Sequence, residues 1–199
     1  IFSSPVASYY SDPVKVFASD QYVRAFPGGT GFAKTAGNYA CTIKPVEEVN
    51  KRGYQQILWL DGIGKKYLQE IGTMNIFVII DGKVITPSLD EGTILPGVTR
   101  DSVITLLKEW GIPVEERRIS IDELADAYES GHLQDAFGAG TAATISPIMA
   151  IGYLKDEFIL PPIEGRQISN RLLEELTAIK NGEVEDKHNW LYAIALKKD

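Results

Sequence analysis

The sequence predicts an α+β fold with a largely antiparallel or mixed sheet. Two apolar runs flank Asp81-Gly82, and this pattern is typical of a β-hairpin with antiparallel strands. Apolar residues at helical spacing occur within residues 97–111 and again within residues 165–180. Because strands and helices intermix without regular strand–helix–strand alternation, a doubly wound parallel sheet is not expected.

The first half of the chain is predicted to hold strands, one helix and the hairpin. Residues 1–33 are expected to form short strands and loops, and residues 39–53 a helix with one proline inside it. Residues 56–60 are mostly apolar and precede an Asp-Gly turn, which predicts a buried strand. The hairpin strands are predicted at residues 75–80 and 83–86.

The next part of the chain is predicted to contain two helices separated by a strand. The helix within residues 97–111 has an apolar face formed by Val103, Leu106, Leu107 and Trp110. Residues 113–120 are expected to form the strand. Ser120 or Asp122 then opens a short helix that continues through Tyr128.

Two strands and a helix are predicted near the end of the chain. The strands include residues 136–137 and 144–154, and the glycine-rich residues 138–141 are expected to join them. The helix over residues 165–180 is amphipathic. Its apolar face consists of Ile168, Leu172, Leu173, Leu176 and Ile179.

Composition restricts the classes of function. The 199 residues are 44% hydrophobic, which allows one large domain or two small ones with a sizeable core. A net charge of −7 without a basic run disfavours nucleic acid and anionic membranes as partners, and no apolar run is long enough to span a membrane. Cys41 is the sole cysteine, which fits a reducing compartment. His132 and His188 lack metal-ligand spacing, so no metal site is predicted.

Lys34 lies in the glycine-rich residues 28–39 and has three interpretations. The spacing of Gly28 and Lys34-Thr35 matches a phosphate-binding P-loop, but Ala33 replaces the second glycine and Pro27 ill suits a preceding buried strand. Alternatively, Lys34 forms an imine with a carbonyl cofactor. It can also be an ordinary exposed lysine, and this segment alone leaves the choice open.

Three further segments could carry chemistry. Residues 95–101 run from a glycine turn into a helix, where free N–H groups can bind an anion, although Thr99 can instead be a plain helix cap. Residues 138–143 are small and include the hydroxyl of Thr141, but they can equally be a tight loop. Glu70 precedes the hairpin, and the alternative for it is a surface glutamate.

Taken together, these segments supply one lysine, two phosphate-type turns and one carboxylate. Pyridoxal 5'-phosphate requires this set: a lysine for an imine, a cup for the phosphate and an acid facing the pyridinium nitrogen. The combination favours the imine interpretation of Lys34.

The sequence resembles the fold-type IV pyridoxal-phosphate enzymes, and specifically the branched-chain-amino-acid aminotransferases. Five segments carry the resemblance in the order that the family shows. They are residues 37–39, 55–60, 70–77, 95–100 and 137–142. The resemblance implies a mixed or antiparallel β pseudo-barrel flanked by helices.

The resemblance also implies roles for individual residues. Lys34 would form the imine with the cofactor and later shuttle a proton. Glu70 would pair with the pyridine nitrogen, and Tyr39 would hydrogen-bond the phenolic oxygen of the cofactor.

The remaining implied roles concern the phosphate and the substrate. Val98, through its N–H, would hold the phosphate together with Thr99 and Thr141, and Arg24 would assist them. Thr73 and Ala142 would line the substrate site.

The implied reaction is transamination between leucine, isoleucine or valine and 2-oxoglutarate, which yields branched 2-oxo acids and L-glutamate. Alternatives with the same fold are a D-amino-acid aminotransferase and an aminodeoxychorismate lyase. An alternative of another class is a non-catalytic fragment or binding domain. Some relatives carry a C-x-x-C redox pair where this sequence has Ala143 and Ser146, so no such switch is expected.

The resemblance further implies that residues 1–199 are the large C-terminal, cofactor-binding domain. The chain begins at Ile1 without an initiator Met or a signal-peptide pattern, so we expect it to be cut from a longer protein that carries a smaller N-terminal domain. The chain alone is therefore expected to show little or no transaminase activity, and to self-associate or bind a partner. The longer protein is expected to be a cytoplasmic homodimer.

Overall fold

The computed structural model describes residues 13–192 and residue 194, within which the chain forms nine strands and five α-helices. The strands are β1 Val14–Ala18, β2 Gln56–Leu60, β3 Leu68–Ile71, β4 Met74–Ile80, β5 Lys83–Thr86, β6 Val114–Glu116, β7 Leu133–Gly140, β8 Thr144–Tyr153 and β9 Asp156–Ile159. The helices are α1 Ala36–Ala40, α2 Ile43–Asn50, α3 Val98–Glu109, α4 Ile121–Glu129 and α5 Gln167–Asn181.

Six of the strands close into a ring. The pairing order is β3, β2, β1, β8, β7 and β4, and β4 pairs back with β3. Strand β1 runs parallel to β2 and β8, whereas the other pairs of the ring are antiparallel. Strands β5 and β6 extend the sheet beyond β4, and β9 pairs with β8. The predicted mixed pseudo-barrel is confirmed.

Strand β4 is apolar from Ile76 to Ile80 because both of its faces are buried. Ile76 and Val78 belong to one apolar core, whereas Phe77 and Ile79 belong to a second one that also includes side chains of α3 and α5. The rings of Phe77 and Phe137 stack in that second core with centroids 5.1 Å apart. Alternation between two cores therefore explains an apolar run that would otherwise suit a helix as well as a strand.

Several local predictions agree with the structure. Strands β2, β4 and β5 and the turn at Asp81-Gly82 lie where the sequence pattern indicates, as do α3 and α5 within one or two residues. Helix α4 begins after Ser120, whose hydroxyl accepts a hydrogen bond from the Glu123 N–H at 3.0 Å. Of the two predicted helix starts, Ser120 is therefore the N-cap and Asp122 is not.

Other local predictions are corrected. The helix expected over residues 39–53 is two helices, and the proline lies in the first turn of α2, where no intrahelical N–H bond is lost. The strand expected over residues 113–120 is only the three-residue β6 at the sheet edge. Strand β7 continues through Gly140, so the connecting turn is residues 141–143 and the glycines belong to the strand. Strand β3 was not predicted at all.

A buried ion pair joins the start of α5 to the sheet. The Arg166 guanidinium donates to Asp135 Oδ1 at 2.9 Å, to the Ile148 carbonyl at 2.8 Å and twice to the Pro161 carbonyl. Both charged side chains are almost fully buried. The pair thereby fixes the segment before α5 against β7 and β8.

We expect Arg166→Met to lower the free energy of unfolding by about 3–5 kcal/mol, because it leaves the Asp135 carboxylate buried without its partner. Urea denaturation at constant pH measures this loss. Lys51→Met is the matched control, since it removes the exposed Lys51–Glu47 pair and should leave the midpoint unchanged. Equal midpoints for all three proteins would contradict a structural role for the buried pair.

Candidate active site

A cavity of about 670 Å³ lies where four connections meet at the ring. Its lining comes from Lys34 and Tyr39, the β3–β4 turn, the start of α3 and the β7–β8 turn. The lining residues are Lys34, Tyr39 and residues 73–75, 95–99 and 139–143. Seven of the nine predicted site residues therefore surround one cavity. They are Lys34, Tyr39, Thr73, Val98, Thr99, Thr141 and Ala142.

Lys34 is held against Tyr39 at one side of the cavity. Its Nζ donates to Tyr39 Oη at 3.2 Å and lies 5.1 Å from the centroid of that ring. The preceding loop is fixed by Asn38, whose Nδ2 donates to the carbonyls of Thr30 and Ala33 at 2.8 Å. The amine is consequently presented to the cavity with a hydroxyl as its neighbour.

The P-loop interpretation of Lys34 does not fit this geometry. A P-loop follows directly on a buried strand, whereas β1 ends at Ala18 and the described residues 19–35 are turns and loops. The backbone of this loop also approaches another segment closely, since a Cβ on Gly31 would overlap the Thr93 carbonyl oxygen. The glycine there serves packing between two segments of the chain.

Glu70 is buried behind the cavity lining, so it is not a surface glutamate. Its side chain is 3% exposed, and Oε2 lies 2.9 Å from Arg24 Nε. The other oxygen, Oε1, accepts the Leu95 N–H at 2.7 Å. Because Leu95 lines the cavity, the carboxylate is one residue away from its surface.

Burial raises the pKa of Glu70 to about 7, and the Arg24 guanidinium, the Leu95 N–H and Lys34 oppose this rise. The carboxyl group therefore exchanges a proton near neutral pH. A cation placed beside Glu70 would lower this raised pKa and so favour the carboxylate form.

Arg24 occupies a different place from the one predicted. Its guanidinium contacts Glu70, the Thr93 carbonyl at 2.8 Å and the Gly31 carbonyl at 3.2 Å, and it does not line the cavity. Each of its three nitrogen atoms thus has a partner within the protein. These contacts correct the predicted phosphate role: Arg24 positions Glu70 and the Lys34 loop.

The first turn of α3 faces the cavity without a side-chain cap. Gly97 is the N-cap residue, so Thr99 lies inside the first turn and is not the cap. Val98 and Thr99 line the cavity, together with Thr141 from the β7–β8 turn. Uncapped N–H groups and the helix dipole make such a position suitable for an anion.

One polar side chain of the cavity lining was missed by the sequence analysis. Asn75 is buried in the apolar strand β4, and its Nδ2 donates to the Leu95 carbonyl at 2.9 Å. The sequence contained a signal for this residue, because an amide within a buried apolar strand requires hydrogen-bond partners.

The described residues contain neither a metal-binding cluster nor a membrane-spanning helix. No group of three or more His, Cys, Asp or Glu side chains there could hold a metal ion. No helix in that part of the chain combines the length and apolar character needed to cross a membrane. Cys41 is exposed and its Sγ lies 3.4 Å from the Asn38 carbonyl oxygen.

Comparison with known proteins identifies the family. Residues 3–151 match the family described as amino-transferase class IV, which covers most of the chain. The chain therefore belongs to the class IV aminotransferases.

Proteins of similar sequence include branched-chain aminotransferases. The chain is 49% identical over 98% of its length to a probable branched-chain-amino-acid aminotransferase of Staphylococcus aureus, and it covers 55% of that relative. It is 46% identical, again over 98% of its length, to branched-chain-amino-acid aminotransferase 2 of Bacillus subtilis, of which it covers 54%. The chain thus spans about half the length of the curated relatives it matches.

Solved structures share the fold. A branched-chain aminotransferase of Thermoproteus uzoniensis, solved with norvaline, has a TM-score of 0.80 and 30% identity over 95% of this chain and 59% of its own. The enzyme of Thermobaculum terrenum, solved in its PLP (pyridoxal phosphate) form, has a TM-score of 0.73 and 27% identity over 91% of this chain and 55% of its own.

We expect the stability of the chain to depend on the proton of Glu70. Because its pKa rises from 4.5 to about 7, this contribution is present below the ordinary pKa and is lost as the pH rises through about 7. The free energy of unfolding should fall by up to about 3 kcal/mol through this group between about pH 5 and about pH 8.

Urea unfolding of the cofactor-free chain at a series of pH values measures this dependence. Glu70→Gln lacks the titrating group, so its stability should change less over the same range. Parallel pH profiles for the two proteins would rule out the raised pKa.

Proposed function

We propose that the chain binds pyridoxal 5'-phosphate and provides the catalytic site of a branched-chain-amino-acid transaminase. The observation that carries the proposal is the convergence of the Lys34 amine and the uncapped start of α3 on one cavity, with the Glu70 carboxyl group directly behind it. These three groups match the aldehyde, the phosphate and the ring nitrogen of that cofactor.

Each proposed contact has a group of suitable chemistry. Lys34 Nζ would bind the aldehyde carbon, and Tyr39 Oη, 3.2 Å from that amine, would hydrogen-bond the neighbouring phenolic oxygen. The first-turn N–H groups of Val98 and Thr99 and the hydroxyls of Thr99 and Thr141 would hold the phosphate. The pyridoxal ring supplies an electron sink for the reaction when it is bound.

Proton handling follows from the positions of two groups. The Lys34 amine, which lines the cavity, would act as the base that takes up and returns the α-proton of the substrate. Glu70 would share a proton with the ring nitrogen. Arg24, bonded to Oε2, and the Leu95 N–H, bonded to Oε1, keep its carboxyl group in place. In this role Glu70 would keep the ring nitrogen protonated, which favours loss of the α-proton.

The proposed substrates are leucine, isoleucine and valine, with 2-oxoglutarate as the amino-group acceptor. The names of the similar proteins support this choice, as does the relative solved with norvaline, an aliphatic amino acid. Met74, Ala139 and Ala143 give the cavity an apolar wall, and Thr73 and Ala142 would lie beside the substrate. An apolar wall separates side chains that differ by one methylene by only about 1–3 kcal/mol, so some breadth is expected.

We further propose that the 199 residues correspond to the large, cofactor-binding domain of a longer cytoplasmic homodimer. The coverage of about half of each relative supports this division. Exposed apolar side chains, among them Phe26, Phe32 and Ile63, suit an association surface. Lys34, Thr73, Val98, Thr141 and Ala142 are exposed, so water reaches the site and the chain alone should turn over little substrate.

Titration of the chain with pyridoxal phosphate tests the cofactor proposal. We expect an absorbance band at about 410–430 nm from an imine with Lys34. Borohydride should fix the group to the peptide that contains residue 34, as detected by mass spectrometry. Lys34→Ala should lose the band and the adduct, whereas Lys51→Ala, at an exposed lysine of α2, should retain both. Labelling elsewhere but not at Lys34 would refute the assignment.

The substrate proposal is tested with a protein of the full length of the relatives that carries this sequence. We expect L-leucine with 2-oxoglutarate to give glutamate, and D-alanine to give no product. Turnover of D-alanine without L-leucine would instead indicate a D-amino-acid aminotransferase. Release of pyruvate from aminodeoxychorismate without transamination would indicate the lyase.

A further inference from the structure

Asn75 is the polar residue of strand β4, whose other six residues are apolar. The residue is 5% exposed and lines the cavity. The strand register places Asn75 opposite Glu70 on one side and opposite Ala139 on the other. It therefore lies between the buried carboxyl group and the end of β7 that leads to Thr141.

The backbone of Leu95 is bonded on both sides by these facing residues. Asn75 Nδ2 donates to the Leu95 carbonyl at 2.9 Å, and the Leu95 N–H donates to Glu70 Oε1 at 2.7 Å. One peptide segment is thus clamped between two side chains from paired strands. The position of Leu95 relative to the Glu70 carboxyl group is consequently fixed.

The Asn75 side-chain amide also restricts the position of the start of α3. Gly97 is the N-cap of that helix, and a Cβ on Gly97 would overlap Asn75 Oδ1. No side chain caps the helix, so the location of its first-turn N–H groups depends on the backbone of residues 95–97. Asn75 contacts this segment at both ends.

We propose that Asn75 is a positioning residue that sets the separation between the Glu70 carboxyl group and the first turn of α3. That separation must match the distance from the ring nitrogen to the phosphate of pyridoxal phosphate. The inference rests on the proposed function, because it assigns Asn75 to the phosphate end of the same site. Asn75 itself acts through the 95–97 segment.

The preference for pyridoxal phosphate over pyridoxal is the measurement that isolates this role. Both compounds offer the aldehyde to Lys34 and the nitrogen to Glu70, but only the first has a phosphate for α3. The wild-type chain should bind pyridoxal phosphate more tightly, as followed by the imine absorbance. Asn75→Ala should reduce the preference by about tenfold, the equivalent of one charge-assisted hydrogen bond, with a smaller effect on pyridoxal.

One control variant and two variants of Gly97 complete the test. Asn170→Ala removes a similar amide-to-carbonyl bond, at 2.8 Å to Ile163, away from the cavity and should keep the wild-type preference. Gly97→Ala should lose the preference because its Cβ displaces the segment. The double variant Asn75→Ala with Gly97→Ala should be no worse than the poorer single variant, since both act on one contact.

The outcomes separate the two proposals. If the wild-type chain forms no imine with either compound, the proposed function fails. If it prefers pyridoxal phosphate and folded Asn75→Ala keeps that preference in full, the positioning role is overturned. Far-UV circular dichroism establishes folding. Should Asn75→Ala not fold, Gly97→Ala decides: an unchanged preference in that variant also overturns the role.

Discussion

The buried guanidinium of Arg24 holds together three segments from which the site is built. It bonds to Glu70 on strand β3, to the Thr93 carbonyl before α3 and to the Gly31 carbonyl in the loop that carries Lys34. A buried guanidinium is stable only when its N–H groups have acceptors. Burial of Arg24 therefore requires that the three segments pack against one another. The amine, the carboxyl group and the helix start are therefore positioned by one charge outside the cavity.

Closure of the ring between β3 and β4 provides the second constraint. The tight turn at Gly72-Thr73 brings Glu70 and Asn75 face to face, and both then act on the backbone of Leu95. Burial of Glu70 in this wall raises its pKa to about 7, which suits the proton-sharing role that we propose for it. The paired strands thus hold these segments rigidly, and the turns at their ends carry residues that line the cavity.

The residue types, their spacing and the family resemblance predicted seven residues that the structure places around one cavity. Lys34 was singled out by the glycines around it, and Thr99 and Thr141 by turns that leave N–H groups or hydroxyls free. Arg24 and Asn75 were misplaced or missed because their roles depend on partners elsewhere in the chain. Arg24 and Thr93, for example, are 69 residues apart, and no local pattern indicates that they meet.

The sequence by itself determined the local elements: the hairpin at Asp81-Gly82, the amphipathic helices α3 and α5, and the start of α4 at Ser120 or Asp122. Each depends on side chains within a few residues of one another, so periodicity and capping chemistry define it. Only the tertiary structure decided that the sheet closes on itself, that Gly138 and Gly140 lie within β7, and that Arg24 serves Glu70. These outcomes follow from pairing between distant segments and from burial of charge, which a local pattern does not record.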